Sequence, residues 1–185
     1  MMARPRPALL IVLIAGAAFL LLLGALAIGL QRGVGSTVKG RTDAAITSAP
    51  PFTLTRFDGE PFDFARANQG PVFIYFWASW CIPCQTEAPI IEALWPEYRD
   101  RGYVFVGVNI WEPPKDGREF AKQYRLTFPV VADEAGAVYI EYGVQGLPTA
   151  FFVDPGGAVR SQFSGPLDAA TLRELLDEIA PGGRS

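Results

Sequence analysis

Residues 75–84, YFWASWCIPC, contain both cysteines of the 185-residue chain. Cys81 and Cys84 are separated by two residues and follow an apolar run, PVFIYFWA, over residues 71–78. Such a run is typical of a strand that is buried on both faces. Over residues 83–101 the apolar side chains recur at helical spacing. The stretch therefore predicts a strand that delivers the first cysteine to the start of a helix.

A position at the start of a helix suits the two thiols to redox chemistry. The sulfur of Cys81 would face unpaired backbone N–H groups and the positive end of the helix dipole, which stabilise a thiolate. Cys84 lies one turn further on, within reach of a mixed disulfide. We therefore predict that Cys81 is the attacking thiol and Cys84 the resolving thiol. Pro83 fits the first turn, where its missing N–H breaks no helical hydrogen bond.

Other uses of the cysteine pair are less consistent with the composition. A zinc site needs about four Cys, His or carboxylate ligands, and the chain has two cysteines and no histidine. A copper site would draw on histidine or methionine, and the methionines are Met1 and Met2. No metal or cofactor is therefore expected. A structural disulfide stays open as the alternative, although so small a loop adds little stabilising entropy.

The charge balance excludes one class of partner and restricts the chemistry. With 16 Lys and Arg against 19 Asp and Glu, the net charge is -3, so we expect no nucleic-acid binding. Because histidine is absent, proton transfer must use a carboxylate, a thiol, a tyrosine or water.

The N-terminal part contains a charge-free apolar run at residues 8–30, after a short tail at residues 1–7. About 20 apolar residues span a bilayer core, so the run predicts one transmembrane anchor. A cleaved signal peptide is the alternative, with Arg4 and Arg6 as its basic part, but its apolar core is usually about 7–15 residues long. Basic residues on the two sides of the run nearly balance, so they do not fix its orientation.

Residues 31–51, rich in Gly, Ser, Thr and Pro, are predicted to form a flexible linker. Residues 52–181 then form one domain, which opens with a hairpin around Asp58-Gly59. Strands are predicted at residues 71–78, 103–110, 129–133, 149–154 and 158–163, and helices at residues 83–101, 115–125, 135–142 and 169–180, the last capped by Asp168. Buried strands that alternate with helices predict an α/β fold with a mixed central sheet and helices on both faces.

The motif WCIPC followed by QTEAP resembles the membrane-anchored thiol-disulfide reductases of the TlpA/ResA/DsbE type, in the thioredoxin-fold superfamily. The resemblance extends from about Phe52 to Ile179. It includes the first hairpin, Glu87-x-Pro89, an extra helical segment between two core strands, and GLPT at residues 146–149. It implies a thioredoxin fold with an N-terminal hairpin and a helical insertion, behind one N-terminal transmembrane helix.

The resemblance also implies a substrate-binding surface. Leu147-Pro148 matches the cis-proline loop, which packs against the active-site cysteines and pairs with the substrate backbone. Trp80, Ile82, Pro83 and Leu147 would then form an apolar docking rim. Ordinary packing is the alternative explanation for each of these residues.

The residue that would accept a proton in thioredoxins is different in this chain. Thioredoxins carry a buried Asp six residues before the first cysteine, and this chain has Tyr75 there. Glu87 matches a glutamate of the anchored subgroup and lies three residues beyond Cys84 on the same helical face. We predict that Glu87 accepts the Cys84 proton; a first-turn acid that complements the helix dipole is the alternative. Glu112 is a second candidate, although EPPKD is equally typical of a solvated loop.

The function that the resemblance implies is an extracytoplasmic, single-pass membrane reductase of specific protein disulfides. Its substrates would be disulfide proteins such as apocytochrome c, and a membrane-bound thiol donor would recharge it. Two alternatives remain: an oxidase of secreted proteins, and a redox-inert module that binds partners through the apolar rim. A peroxidase is not expected, because Ala78 stands where its usual Thr or Ser would be.

Overall fold

The computed structural model describes residues 13, 14, 16–24, 40–42 and 46–181, which belong to two units, residues 1–39 and 40–185. In the first unit, residues 13, 14 and 16–24 are helical, and their large apolar side chains are exposed. No helix among the described positions has both the length and the apolar character needed to cross a bilayer. The predicted tail, the ends of the predicted anchor and residues 31–39 lie outside the described residues.

The second unit is built on one eight-stranded sheet with the strand order β1-β8-β7-β4-β5-β6-β2-β3. The central strand β4 is parallel to β5 and antiparallel to β7, so the sheet is mixed, as predicted. The strands are β1 (Arg41–Thr42), β2 (Thr53–Arg56), β3 (Pro61–Asp63), β4 (Val72–Trp77), β5 (Val104–Ile110), β6 (Val130–Asp133), β7 (Thr149–Val153) and β8 (Val159–Ser164).

Five helices accompany this sheet in the described part of the second unit, and four of them were predicted. They are α1 (Phe64–Ala67), α2 (Ile82–Asp100), α3 (Pro114–Gln123), α4 (Ala137–Glu141) and α5 (Ala169–Glu178). Asp168 caps α5, as expected, by accepting a hydrogen bond of 2.8 Å from the Thr171 N–H. The short helix α1 was not predicted. It is a single turn capped by Asp63, too short to show helical periodicity.

Aromatic side chains on β4 pack to both faces of the sheet, because successive residues of a strand point to opposite sides. All six residues of β4 are buried. On one face Phe105 of β5 packs against Trp95 of α2, with 5.1 Å between ring centroids. On the other face Phe76 and Phe151 pack against Tyr142, which ends α4. The prediction of helices on both faces is confirmed.

Part of the segment predicted as a linker packs onto the domain. Arg41 and Thr42 pair with β8, and the guanidinium of Arg41 binds both carboxylate oxygens of Glu178 at 2.9 and 3.0 Å. Further along, the Ala49 N–H donates to the Gly157 carbonyl at 3.0 Å. Such edge pairing uses backbone groups alone, so it leaves no periodic pattern in the sequence by which it could be predicted.

The predicted insertion between two core strands lies between β5 and β7. It contains α3, strand β6 and α4, and β6 extends the sheet by pairing in parallel with β5. Because β4 and β5 are parallel neighbours, the residues that follow them meet at one edge of the sheet. This edge carries the cysteines.

Candidate active site

The cysteines are placed by the end of β4 and the beginning of α2. Cys81 is the N-cap of α2, and its sulfur accepts a hydrogen bond of 3.3 Å from the Cys84 N–H. Ile82 and Pro83 occupy the first helical positions, so Pro83 lies in the first turn as predicted, and the helix begins one residue earlier than expected. The two cysteines are joined by a disulfide, with 5.3 Å between their Cα atoms. Cys84 is fully buried, whereas Cys81 is 5% exposed, so Cys81 is the more accessible sulfur.

Glu87 lies one turn beyond Cys84 and is 1% exposed. Its carboxylate accepts hydrogen bonds from the Tyr75 hydroxyl, at 2.9 Å, and from the Leu167 backbone N–H. Burial raises the pKa of Glu87 to about 7, although the hydrogen bonds from Leu167 and Tyr75 act in the opposite direction. A carboxyl group with this pKa can both accept and release a proton at neutral pH.

Tyr75 holds this carboxylate from the neighbouring strand. Burial, and next the charge of Glu87, raises the pKa of Tyr75 well above its usual value, so the phenol stays protonated and donates. The strand position that carries an acid in thioredoxins thus carries a hydrogen-bond donor here. The sequence alone did not predict this pair, because its members lie on different elements and only the packing of α2 on β4 joins them.

Glu112 is buried and holds the segment that precedes Cys81. Its carboxylate accepts hydrogen bonds from the Ser79 N–H, at 2.9 Å, from the Ser79 hydroxyl, and from the Asn109 side-chain amide. The alternative of a solvated loop is therefore wrong for Glu112, because the backbone N–H and hydroxyl of Ser79 bind this carboxylate in place of water. Glu112 thus contacts the chain two residues before Cys81.

The Leu147–Pro148 peptide bond is cis, as predicted. It immediately precedes β7, and Pro148 is buried while Leu147 is partly exposed. The loop is closed by the Thr149 hydroxyl, which donates to the Gly146 carbonyl at 2.8 Å.

A cleft of about 450 Å³ opens beside the disulfide. All four residues predicted for the docking rim line it, together with residues that were not predicted from the sequence. The lining consists of Trp80, Cys81, Ile82, Pro83, Trp111, Tyr139, Gln145, Gly146 and Leu147. Like Glu112, Trp111 could have been predicted from the sequence, because it directly follows β5 at the sheet edge that carries Cys81. No comparable signal exists for Tyr139, which comes from the insertion.

Comparison with known protein families shows which family this chain belongs to. Residues 46–162 match the model of the AhpC/TSA family. The chain belongs to the AhpC/TSA family. Among relatives in this family, the thiol-disulfide oxidoreductase ResA of Geobacillus thermodenitrificans is 34% identical over 142 residues, which cover 76% of this chain and 82% of the relative. ResA of Bacillus thuringiensis is 35% identical over 133 residues, covering 72% and 77%.

Solved structures of related proteins agree with this membership of the AhpC/TSA family. A thiol:disulfide interchange protein of the thioredoxin family from Chlorobium tepidum superposes with a TM-score of 0.64 at 29% identity, covering 75% of this chain and 99% of that protein. DsbF of Mycobacterium tuberculosis superposes with a TM-score of 0.65 at 29% identity, covering 70% and 95%. The predicted thioredoxin fold and the resemblance to ResA and DsbE are confirmed, and the chain is a thiol-disulfide oxidoreductase.

Proposed function

We propose that this oxidoreductase works as a reductase of specific protein disulfides. In the reduced enzyme, the Cys81 thiolate attacks one sulfur of the substrate disulfide. A Cys81–substrate disulfide forms, and the other substrate sulfur leaves as a thiolate with the electron pair. The Cys84 thiolate then attacks the Cys81 sulfur and expels the second substrate thiolate. The substrate gains two electrons, and the cysteine pair is oxidised to the disulfide.

The resolving step needs a base for the buried Cys84 thiol. We propose that Glu87 takes this proton, directly or through one water molecule, because it lies one turn further along α2 and has a pKa of about 7. When a donor thiol reduces the disulfide again, Cys84 leaves as a thiolate and recovers the proton from Glu87.

The direction of electron flow is supported by the charges around the cysteine pair. In the described part of the chain the buried charged side chains are Glu87, Glu112 and Asp133, and all three are carboxylates. Glu87 lies on the helix beyond Cys84, and Glu112 binds Ser79 just before Cys81. Nearby negative charge disfavours thiolates, which lowers the stability of the reduced couple and its reduction potential. This placement of carboxylates is the observation that carries the proposal of a reductase.

The surroundings of the Cys81 sulfur favour electron flow in the opposite direction. The Cys84 N–H and the start of α2 stabilise a thiolate on Cys81, and a stabilised thiolate makes the couple more oxidising. An oxidase of secreted proteins is therefore the second candidate.

The reduction potential distinguishes the two directions. The purified domain is equilibrated with thiol–disulfide buffers, and the oxidised fraction is measured by alkylation of the free cysteines. A reductase should have a potential at or below that of thioredoxin, about −270 mV. A value near that of the strong oxidant DsbA, about −120 mV, would overturn the proposed direction.

We further propose that residues 8–30 anchor the protein in the cell membrane with the catalytic domain on the extracytoplasmic side. The support is the length of the charge-free run, because about 20 apolar residues span a bilayer core. A membrane-bound thiol donor would then return electrons to the pair. Protease added to intact spheroplasts should digest the domain, and protection until the inner membrane is lysed would contradict this orientation.

The substrate class that we propose is a specific disulfide protein, such as apocytochrome c with its haem-binding cysteines oxidised. The rate at which the reduced enzyme opens this disulfide should exceed the rate with insulin about tenfold or more. Equal rates with both proteins would argue for a general reductase.

A further inference from the structure

Exposed apolar side chains in the catalytic domain are concentrated at the disulfide. Over residues 46–181 the exposed large hydrophobic side chains are Trp80, Ile82, Trp111 and Ile140, with exposures between 50% and 75%. Three of them, all but Ile140, line the cleft beside Cys81. An apolar surface of this kind at a reactive group is typical of a binding site for a partner.

Trp111 adopts a backbone conformation that a large residue rarely accepts. Its φ angle is +53°, in the left-handed region that favours glycine. Two features of the surrounding structure hold the backbone of Trp111 in this conformation. The next residue, Glu112, is fixed by its hydrogen bonds to Ser79 and Asn109. The indole packs on Tyr139, with 4.4 Å between ring centroids.

Gly136 makes room for this arrangement, because a side chain at that position would collide with the indole of Trp111. The ring is therefore fixed at the wall of the cleft, half exposed, while its backbone remains strained. Strained residues that the surrounding structure holds in place are concentrated at ligand-binding and catalytic sites. The exposure, the strain and the position beside Cys81 point to one role.

We propose that Trp111 and Tyr139 form a subsite that binds a large apolar or aromatic side chain of the substrate protein, next to the cysteine that Cys81 attacks. This inference rests on the proposed function, in which a protein disulfide must reach the Cys81 sulfur. The chain on either side of the substrate cysteine must then pass over the cleft.

The chemistry of the cleft determines which kind of side chain, next to the substrate cysteine, it can bind. Apart from Cys81, whose thiolate is consumed in the attack, the residues that line it carry no charge. A charged substrate side chain would therefore lose hydration without gaining an ionic partner. An aromatic or aliphatic side chain would instead cover the indole and phenol rings. Rigid aromatic walls provide contact area at little cost in conformational entropy.

The test uses short cysteine peptides capped as mixed disulfides with thionitrobenzoate, identical except for one residue beside the cysteine. That residue is Trp in one peptide and Ser in the other, placed before or after the cysteine. Reduced enzyme attacks the peptide sulfur through Cys81, expelling the thionitrobenzoate thiolate with the electron pair. Cys84 then attacks Cys81 and releases the peptide thiol. The wild-type enzyme should react about tenfold faster with the Trp peptide.

Trp111→Gly tests the subsite without threatening the fold, because glycine adopts the φ angle of Trp111 without strain. This variant should lose most of the preference, because its rate with the Trp peptide should fall towards its rate with the Ser peptide. Trp111→Phe should restore part of the preference. Ile140→Ala is the control, since Ile140 is also an exposed large hydrophobic residue but does not line the cleft, and it should keep the full preference.

The outcomes separate the subsite from the function on which it rests. Equal rates of the wild-type enzyme with both peptides, or a preference that survives in Trp111→Gly, would overturn the subsite alone. No release of thionitrobenzoate from either peptide would overturn the exchange chemistry, and the subsite with it. The reduction potential tests the direction of electron flow separately, because it is measured without a peptide substrate.

Discussion

The hydroxyl of Tyr75 donates a hydrogen bond of 2.9 Å to the carboxylate of Glu87, and the pair is buried between β4 and α2. The proposed proton acceptor therefore belongs to the helix, and the strand supplies the group that positions it. The Leu167 N–H completes the arrangement by binding the other carboxylate oxygen. Three elements of the fold thus fix one side chain close to Cys84.

Replacing Tyr75 by Phe should shift the pH dependence of the resolving step. The phenol hydrogen bond stabilises the ionised form of Glu87, so its loss should raise the pKa of Glu87 further above its ordinary value. The rate of resolution should then reach half its maximum at a higher pH than in the wild-type enzyme. The measurement is the rate of mixed-disulfide resolution across the pH range, in rapid-quench experiments with an alkylating agent.

Tyr103→Phe provides the matched control for this experiment. The Tyr103 hydroxyl also makes a buried hydrogen bond, to the Leu176 carbonyl at 3.0 Å, but it does not contact Glu87. Both variants should lose about 1 kcal/mol of stability. The same shift in both pH profiles would show that the effect is structural and not transmitted through Glu87.

Glu87→Gln should slow the resolving step more than the first attack. Cys81 keeps its position at the start of α2, whereas Cys84 loses its proton acceptor. Mixed disulfides should accumulate, with resolution slower by about 10²-fold, and the thiol titration should become less dependent on pH. Glu97→Gln, an exposed position on the same helix, should leave both steps unchanged. Identical titration curves for the wild-type enzyme and Glu87→Gln would show that Glu87 is not the acceptor.

Much of this site follows from local patterns in the sequence. The run VFIYFW predicts a strand buried on both faces, and all six residues are buried. Pro83 marks the first turn of the helix, and the end of the preceding strand predicts Cys81 at the helix start, where it is the N-cap. Each of these features depends on neighbouring residues, so a single sequence carries enough information to predict them.

Other parts of the site depend on contacts that leave no local pattern. The Leu167 N–H reaches Glu87 across 80 positions of the chain, and any residue type except proline could supply that group. The left-handed backbone of Trp111 depends on the space left by Gly136 and on the fixed position of Glu112. Strand β1 is likewise recognised by its pairing with β8 and not by its composition.

Serine substitutions should distinguish the two cysteines. Cys81 has the more accessible sulfur, which also accepts a hydrogen bond from the Cys84 N–H. It should therefore form the bond to substrate. With Cys84→Ser, mixed disulfides should accumulate on Cys81, and with Cys81→Ser few should form. Trapped complexes are counted on non-reducing gels after acid quenching. The reverse pattern would assign the attack to Cys84.

The buried carboxyl of Glu87 should make stability depend on pH. Its pKa in the folded protein, about 7, lies above the ordinary value of 4.5, so the folded state binds the proton more tightly than the unfolded state does. Stability from this group is therefore fully present below about pH 4.5 and is lost as the pH rises towards about 7. Relative to Glu87→Gln, the wild-type protein should lose about 3 kcal/mol of unfolding free energy across this range.

Denaturant unfolding of the oxidised protein at several pH values measures this difference. The oxidised form is chosen because its disulfide cysteines do not titrate. A constant difference between wild type and Glu87→Gln would show that the pKa of Glu87 is not raised in the folded state.

Glu112→Gln should impair the attack by Cys81 without moving the pH dependence of the resolving step. The Glu112 carboxylate accepts three hydrogen bonds, two of them from Ser79, and the single acceptor oxygen of Gln cannot replace them. The segment before Cys81 should therefore lose its fixed position, with a loss of about 1–3 kcal/mol in stability and a slower first attack. Glu92→Gln is the matched control, because Glu92 binds the N–H and hydroxyl of Thr127 in the same way. It should lower stability but leave the rate of attack unchanged. If Glu112→Gln instead shifted the pH at which resolution is half-maximal, Glu112 and not Glu87 would be the group that exchanges the Cys84 proton.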